Sequence, residues 1–453
     1  MKNQHTMHIS PFTFLFIWLS AMTIISCGTD SGPFKGLPFE GGNGTSENPF
    51  QVASVEQLQV IGDSLYLDKH FIQVTDIDAS KSAEFQNGSG FQPIGTREKP
   101  FTGSFNGNGY TISALYIHNQ RSSDNATGFF GYVKNGLIEG VTIDNQSPDW
   151  NKHIKASEQF KDRQKGFSEV RMSELDLSNA RGIGGLVGYN DAGTVRNSVY
   201  KGGVSGHIHQ GIGGFAGINT GLIENCHFVG NISSGSTAGF AWTNGGQIRN
   251  SSTEGSADGM TSHGFVSTNY GEIVNSYAEM DISGSNGAAA FARSNIGGVI
   301  ESSFATGSTF SGYNIAGFVR NNSGEIRNVY STTELEVVDY YDDRQIAGIV
   351  VSNEDKGIIE NSYFAGTVEI TGSSGFTKAA IIENLGTVGS LYWDMERSGL
   401  NDAVENGPDE GATGLTTAQM TGPSTDQNMP GFDWVNIWRI NEDGYPVLRW
   451  EGE

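Results

Sequence analysis

Short apolar segments recur along the chain, each ending in an asparagine. The segment Gly185-Leu186-Val187-Gly188-Tyr189-Asn190 returns as Gly214 to Asn219, and five further copies keep the same frame. From Gly185 onward, successive copies start 25 to 31 residues apart. Self-similarity at a period of 20–50 residues is typical of solenoids, propellers and repeat arrays.

One copy predicts three short strands separated by turns. Residues 186–187 form an apolar strand, 189–193 a turn, 194–200 a second strand, and a third strand begins at Val204. Three strands in about 26 residues fit one coil of a parallel β-helix, whereas a propeller blade needs four strands in roughly 40–50 residues. We therefore predict an all-β fold, a right-handed parallel β-helix (β-solenoid) of about 8–10 coils.

Two columns of asparagine emerge when the copies are aligned. In a β-helix each column stacks on itself at about 4.8 Å per coil, so that an amide can bond its own image in the next coil. Asparagine also tolerates left-handed turn geometry, which we expect in the first column. That column contains Asn190, Asn219, Asn244, Asn269, Asn295, Asn322 and Asn353. The second contains Asn197, Asn225, Asn250, Asn275, Asn328 and Asn361, with Ser302 as the exception.

A third column carries charges of mostly alternating sign. It contains Arg196, Glu224, Arg249, Val274, Glu301, Arg327 and Glu360. Each exposed pair stabilises by only ~0–1 kcal/mol. We predict that the column instead sets the register of the coils, because a slipped coil would place like charges together. This requires Glu224 and Arg249 to share a face.

The pattern Gly-Leu-Val-Gly, then Asn, then Asn-Ser, resembles the GLUG repeat. The match is best at Gly185–Gly206 and Gly211–Ile232, and Tyr392-Trp393-Asp394 and the segment 438–450 also resemble GLUG-containing proteins. The resemblance implies a β-helix in a bacterial surface protein. Such proteins include adhesin-like proteins and immunoglobulin A-cleaving metallopeptidases, in which the repeats accompany a separate catalytic domain. In later copies the fourth glycine is replaced by Trp242, Ser267, Arg293, Arg320 and Val351.

The N-terminus predicts export. An apolar run from Phe12 to Ile25 has the length of a signal-peptide core, and Ile24-Ile25-Ser26-Cys27-Gly28 resembles a bacterial lipobox. We therefore predict a lipoprotein signal peptide over residues 1–26, lipidation of Cys27, and a flexible tether over residues 27–45. A plain signal peptide and a short membrane anchor are the alternatives.

The remaining segments complete the domain organisation. Residues 46–120 are predicted as an N-terminal cap and first coils, with a helix from Val55 to Leu67 that Ser54 and Gln57 begin as a capping box. Residues 121–394 form the repeat region. It contains an inserted loop over 145–180, with a short helix around Ser157 to Lys165, and such insertions often lie on a binding face. Residues 395–453 are predicted as a capping segment whose Trp434, Trp438 and Trp450 pack on the last coil.

Charge and motifs exclude several classes of function. The formal net charge of −23 disfavours nucleic-acid binding. The sequence lacks His-Glu-x-x-His, Gly-x-Ser-x-Gly and a P-loop, which argues against a metallopeptidase, a serine hydrolase of that type or a P-loop nucleotide-binding protein. His207 and His209 are too few for a zinc site, and Cys226, in a column of serines, is expected to be a buried thiol.

Calcium is a weak alternative, and no cofactor is predicted. The segments Asp76-Ile77-Asp78, Asp339 with Asp342-Asp343, and 441–444 offer oxygen ligands, but none matches a 12-residue EF-hand loop. We expect them to be solvated turns.

We expect a structural or adhesive role on the cell envelope, at the outer membrane or cell surface. The partner would be an extracellular protein or glycan bound through an extended face. Lipid on Cys27 would attach the chain to the membrane. The alternative is a carbohydrate-active β-helix enzyme, a polysaccharide lyase or glycoside hydrolase. Glycosidases need two carboxylates about 5–9 Å apart, and stacked coils provide such spacings by accident. No catalytic residue is therefore assigned.

Overall fold

The strands of the molecule run parallel and stack coil upon coil. A computed structural model describes residues 38–119, 126–146, 154–156, 182–206, 211–338, 344–372 and 375–451, with the backbone alone for 154–156. From Phe39 onward these residues form one unit, a β-solenoid of about nine turns whose large sheet contains parallel pairs throughout. The predicted class, a parallel β-solenoid, is confirmed.

The strands of each coil fall on successive sides, and strands of one side pair from coil to coil. Side A contains the asparagines of the first column, in strands Phe130–Lys134, Val187–Asp191, Ala216–Asn219, Ala241–Asn244, Val266–Asn269, Ala292–Asn295, Val319–Asn322, Arg344–Asn353, Phe376–Asn384 and Val404–Asn406. Side B contains the charged column, in strands Phe50–Val52, His70–Gln73, Ser104–Asn106, Leu137–Glu139, Thr194–Arg196, Leu222–Glu224, Gln247–Arg249, Glu272–Val274, Val299–Glu301, Glu325–Arg327, Ile358–Phe364 and Thr387–Asp394.

Side C follows side B, and several of its strands continue towards side A of the next coil. Its strands are Ile77–Asp78, Thr111–Ser113, Thr142–Asp144, Val199–Lys201, His227–Ser233, Ser252–His263, Tyr277–Ala289, Phe304–Ser311, Tyr330–Ser331 and Ala412–Leu415. Shorter strands complete the coil at Ile117–Asn119, Ile154–Ala156, Val204–Ser205, Gly211–Gly213, Ser236–Ala238, Ile315–Ala316, Glu334–Val338 and Val368–Thr371.

Two two-stranded sheets are separate from the large sheet, and the described ranges also contain a few short helices. Ala126–Thr127 pairs in parallel with Gly182–Ile183, and Trp438–Arg439 pairs antiparallel with Val447–Leu448. The helices are Val55–Val60, the 3₁₀ turn Ser80–Glu84, Phe85–Gly88, Met395–Ser398, Thr417–Met420 and Thr425–Asn428. None of the helices in the described ranges is long and apolar enough to cross a membrane.

The coil has more corners than the sequence predicts. The strand expected over 194–200 is two strands, Thr194–Arg196 and Val199–Lys201, because Asn197 turns the chain with a φ of 52°. Every member of the second asparagine column, Ser302 included, has a φ between 48° and 53°. The left-handed geometry expected in the first column therefore belongs to the second, and Asn190 lies within a strand rather than a turn.

Ser302 is the strained member of that column. It adopts a φ of 48°, which asparagine tolerates and serine does not favour. We expect Ser302→Asn to raise the free energy of unfolding by about 0.5–1 kcal/mol, measured as a higher thermal midpoint. The matched change Asn275→Ser, one coil earlier, should lower stability by a similar amount. A lower midpoint for Ser302→Asn would contradict this account.

Identical side chains stack through the interior. Phe215, Phe240, Phe265, Phe291 and Phe318 follow one another on adjacent coils, with ring centroids 4.7–4.9 Å apart. A buried aliphatic column on side B includes Ile223, Ile248, Ile273, Ile300 and Ile326. Each such side chain stabilises the fold by about 1.5–3 kcal/mol when fully removed from water. Because each coil contributes the same side chains, the core repeats from coil to coil.

The N-terminal helix is shorter than predicted. It begins after Ser54, whose hydroxyl accepts a hydrogen bond from Gln57 N at 3.3 Å, and it ends at Val60 instead of Leu67. A turn around Asp63 replaces the last predicted turns, because its Oδ1 accepts the backbone N–H of Leu65 at 3.0 Å. Val55 and Leu58 are buried in the core, whereas Leu65 is 71% exposed.

The sequence predicts that the C-terminal segment packs on the last coil. In the structure it also contacts earlier coils. Residues 416–451, here called the strap, run back along the outside of side C. Trp450 lies 5.7 Å from the ring of Phe304, and its indole N–H donates to Ser302 O at 2.8 Å. Trp438 is fully buried 5.8 Å from the ring of Tyr363. The stacked aromatic rings of side C would otherwise face water, and the strap covers them.

Part of the predicted insertion belongs to the solenoid. Asn145 is 2% exposed, and its amide exchanges hydrogen bonds with the backbone of Leu115 at 2.8 and 3.0 Å. Ile154–Ala156 pairs with Ile117–Asn119 on one side and with Val204–Ser205 on the other. The loop predicted over 145–180 is therefore interrupted by a strand. The predicted helix around 157–165, and the whole N-terminal signal with Cys27, lie outside the described residues.

Candidate functional site

The first asparagine column forms a continuous ladder of buried amides. From Asn190 to Asn353 each Nδ2 donates to the Oδ1 of the next asparagine at 2.8–2.9 Å. The last of these bonds reaches Asn384, a member that the sequence analysis did not include. Its signal was present, since Asn384 follows Asn353 by 31 residues, although the glycine frame around it is lost.

The two ends of the ladder differ. Val133 occupies the position before Asn190, so Asn190 Oδ1 has no hydrogen-bond partner among the described residues. At the other end Asn384 Nδ2 donates to Pro408 O at 2.7 Å. All members are at most 1% exposed. The amides therefore join coils and are not accessible to a ligand.

The charged column lies on one face of side B. The register places Glu224 opposite Arg249, and Glu139 precedes Arg196 as a further member. Arg196 contacts Glu139 at 3.0 Å, and Arg327 contacts Glu360 at 3.6 Å. Glu301 lies opposite both Val274 and Arg327.

Arg249 departs from the simple alternation. Its guanidinium contacts the Glu272 carboxylate at 2.9 Å. Glu272 lies in the next coil, two positions before the residue that faces Arg249. The next member of the column is Val274, which offers no charge, so the arginine reaches diagonally. The side chains of the Arg196–Glu139 and Arg249–Glu272 pairs are 28–42% exposed, and each pair stabilises by about 1 kcal/mol at most.

A buried serine column supports the left-handed turns. Ser251 Oγ donates to Arg249 O at 2.8 Å and accepts the backbone N–H of Cys226 at 3.2 Å. Cys226 occupies this column and is fully buried, which raises the pKa of its thiol to about 12. Such a thiol is neither a nucleophile nor a metal ligand at neutral pH.

The acidic segments considered for calcium accept backbone N–H groups, either within their own turn or from a later part of the chain. Asp76 Oδ1 accepts the N–H of Thr111 at 2.8 Å, and Asp78 Oδ1 accepts that of Ser80 at 2.9 Å. Asn441 Oδ1 accepts the N–H of Asp443 at 3.3 Å. Across the described ranges no cluster of three His, Cys, Asp or Glu side chains could hold a metal ion. Asp339, Asp342, Asp343, His207 and His209 lie outside those ranges.

A stacked tyrosine pair lies at the start of side A. The rings of Tyr132 and Tyr189 are parallel and 4.7 Å apart, with the Arg97 guanidinium 5.3 and 5.4 Å from their centroids. The Tyr132 hydroxyl donates to Asp191 Oδ2 at 3.0 Å. Burial and then the Asp191 charge raise the pKa of Tyr132, so both tyrosines remain neutral.

One external corner of the coil contains unusual polar groups. In the sequence, four of its residues were evident only as replacements of a repeat glycine. It lies where the strand leading into side A meets side A itself. We call it the outer corner and define it by Trp242, His263, Ser267, Arg293 and Arg320. In the earliest coils the corner is closed by glycine: a Cβ on Gly217 would collide with the backbone of Gly182 and Ile183.

Larger side chains occupy the corner in later coils. The Trp242 indole lies over Gly211, and the Arg320 guanidinium lies over Gly287, so each reaches one coil back and covers a position where no Cβ would fit. Beyond Arg320 the corner becomes apolar, with Val351 and Ile382 packed on Ala347 and Ala379. The outer corner is thus a short polar stretch between a glycine-filled and an apolar end.

Comparisons with known proteins agree with the repeat. Residues 208–233 match the family described as the GLUG motif, which confirms the resemblance. The chain is 41% identical over 113 residues to halomucin of Haloquadratum walsbyi, which covers 23% of this chain and 1% of halomucin. It is 33% identical over 137 residues to a protein of Evansella cellulosilytica named as a candidate Gly-rich membrane protein, covering 30% of this chain and 16% of that protein. The chain therefore matches only a small part of either relative.

A solved structure also aligns with most of the chain. It is the crystal structure of a candidate immunoglobulin A1 protease from Bacteroides ovatus, with 18% identity and a TM-score of 0.35. The alignment covers 91% of this chain and 95% of that protein.

Proposed function

We propose that this protein is a cell-surface β-solenoid with a structural or adhesive role, held at the envelope by lipid on Cys27. It binds an extracellular protein or glycan through the extended outer face of its coils. The observation that carries this proposal is the use of the repeated residues. The amide ladder, the serine column and the core stacks all join one coil to the next, which leaves recognition to the outer positions that differ between coils.

The names of the relatives support the location. One is a halomucin and the other is named as a membrane protein, and each matches a part of this chain. A rod of stacked coils anchored at one end presents long exposed faces to the surroundings, as solenoid proteins do when they bind extended partners.

The proposed role is tested by expressing the full chain on cells and scoring retention and turnover separately against panels of matrix proteins and polysaccharides. Retention of cells without turnover, lost when the chain is deleted, would support the proposal. Turnover of several polysaccharides would overturn it in favour of a carbohydrate-active enzyme. Equal retention of cells with and without the chain would also count against it.

Lipid anchoring makes a separate prediction. In cells fed a radiolabelled or clickable fatty acid, the wild-type chain should incorporate label and partition with membranes, because the lipobox cysteine is the acceptor. Cys27→Ser should remove the label and release the chain from the membrane fraction. Cys226→Ser is the matched control and should retain both, since that thiol is buried in the solenoid. Unchanged labelling of Cys27→Ser would refute the anchor.

A further inference from the structure

The outer corner concentrates positive charge in an acidic chain. The protein has 50 acidic and 27 basic residues, yet Arg293 and Arg320 stand on adjacent coils of one column. Among the described residues neither forms an ion pair with a carboxylate. Burial and then the nearby Arg293 charge lower the pKa of Arg320 to about 10. Two adjacent guanidinium groups that lack a counter-ion constitute an incomplete anion site.

The floor of the corner has unused hydrogen-bonding groups. His263 is fully buried, and neither Nδ1 nor Nε2 has a hydrogen-bond partner among the described residues. The same holds for Ser267 Oγ and for Arg320 Nε. Buried polar groups normally find partners, and leaving one unpaired costs about 1–3 kcal/mol. Four such atoms in one corner indicate that something else completes their bonds.

The protonation state of His263 suits this role. Burial, followed by the charges of Arg320 and Arg293, lowers its pKa well below the usual value. The ring is therefore neutral at physiological pH and supplies one N–H donor and one acceptor nitrogen. With the Ser267 hydroxyl and two guanidinium forks, the corner offers several donors to an oxyanion, and no carboxylate of the described residues pairs with either arginine.

The remaining member of the corner is an aromatic ring. Trp242 stands in the same column, two coils before Arg293, and its half-buried indole lies over Gly211. Consecutive coils are separated by about 4.8 Å, which is comparable to the rise per sugar of an extended glycan. The Trp242 ring and the two arginines follow one another along the outer corner. This order matches a polysaccharide that presents sugar-ring faces and carboxylates in turn.

We infer that the outer corner binds an acidic polysaccharide of hexuronate type, with a sugar ring on Trp242 and a uronate carboxylate between Arg293 and Arg320. The planar forks of arginine fit a carboxylate in a two-bonded arrangement, whereas lysine would supply only a point charge. His263 and Ser267 form the polar floor beneath this anion. Arg293 is exposed and Arg320 is half-buried, so the pair is open to solvent at Arg293. This inference rests on the proposed function, since it names the glycan that the outer face would hold.

The test measures binding of the purified, detergent-solubilised full chain to three immobilised probes: polygalacturonate, dextran sulfate and neutral dextran. Polygalacturonate should bind best. Arg293→Gln and Arg320→Gln should each raise its Kd at least about tenfold, because each removes one charged partner of the carboxylate. Arg320→Lys should give an intermediate loss. Arg327→Gln, in the exposed charged column of side B, is the matched control and should change the Kd less than twofold.

Each other outcome is informative. Absence of polygalacturonate binding, or binding unaffected by either arginine variant, would overturn the inference. Preference for dextran sulfate would overturn the uronate assignment, and equal binding of neutral dextran would overturn the anion site. Thermal midpoints close to wild type exclude misfolding of the variants. If polygalacturonate does not bind the outer corner, retention of cells through other faces can still be observed. Failure of this inference is therefore distinguishable from failure of the proposed function.

Discussion

Replacing Asn322 with alanine is expected to destabilise the protein by about 3–5 kcal/mol. Asn322 is fully buried and receives Asn295 Nδ2 at 2.9 Å and the N–H of Gly324 at 3.3 Å. Its own Nδ2 donates to Asn353 Oδ1 at 2.9 Å and to Ile358 O at 3.3 Å. Alanine leaves these groups without their partner, in a place that water does not reach, and opens a cavity between two coils.

The neighbouring residue provides a matched control for the ladder. Asn321 lies in the same strand, is half-buried and makes no side-chain hydrogen bond within the described ranges. Asn321→Ala should therefore change stability by less than about 0.5 kcal/mol. Thermal or denaturant unfolding of both variants, followed by circular dichroism, measures the difference. Equal midpoints for the two variants would show that the ladder does not stabilise the coils.

Trp438→Ala should cost about 3–5 kcal/mol and release the strap from side C. The indole is fully buried, its ring lies 4.3 Å from that of Phe432, and its N–H donates to Asn328 Oδ1 at 3.4 Å. The rings of Tyr330 and Tyr363 on adjacent coils flank the same indole at 6.2 and 5.8 Å. Its loss removes the main contact by which the strap joins these coils.

Limited proteolysis distinguishes release of the strap from general unfolding. We expect Trp438→Ala to be cleaved early between residues 416 and 451, while the preceding coils stay resistant. Trp434→Ala is the control, since that ring is only half-buried and bonds within the strap to Met429 O. If the Trp438 variant resists protease as well as the control does, the strap is held by other contacts.

The fold could be predicted because the same pattern of residues recurs in many copies. Seven copies of one frame revealed the coil, the stacked columns and the shared face of Glu224 and Arg249. A single copy is ambiguous about local conformation, which is why the left-handed turns were assigned to the wrong asparagine column. The alternation of apolar and polar residues around Asn197 does not reveal a positive φ, whereas the bonding of neighbouring coils does.

Features that depend on non-repeated contacts were harder to predict. The strap reaches Ser302 and Phe304 across about 150 residues of chain, and no periodic pattern encodes that distance. The outer corner was visible in the sequence as a glycine column replaced by Trp242, Ser267, Arg293 and Arg320. Its significance needed the structure, because only the fold brings His263 against those positions and shows which polar groups lack partners.

The amide ladder also bears on how such a chain can evolve. Each rung presents the same acceptor to the coil before it and the same donor to the coil after it, although the spacing between copies varies from 25 to 31 residues. Duplication or deletion of one whole copy therefore leaves the amide bonds at both junctions unchanged. Gene recombination can lengthen or shorten the rod in single-coil steps, and the two ends, at Val133 and Pro408, need not change with it.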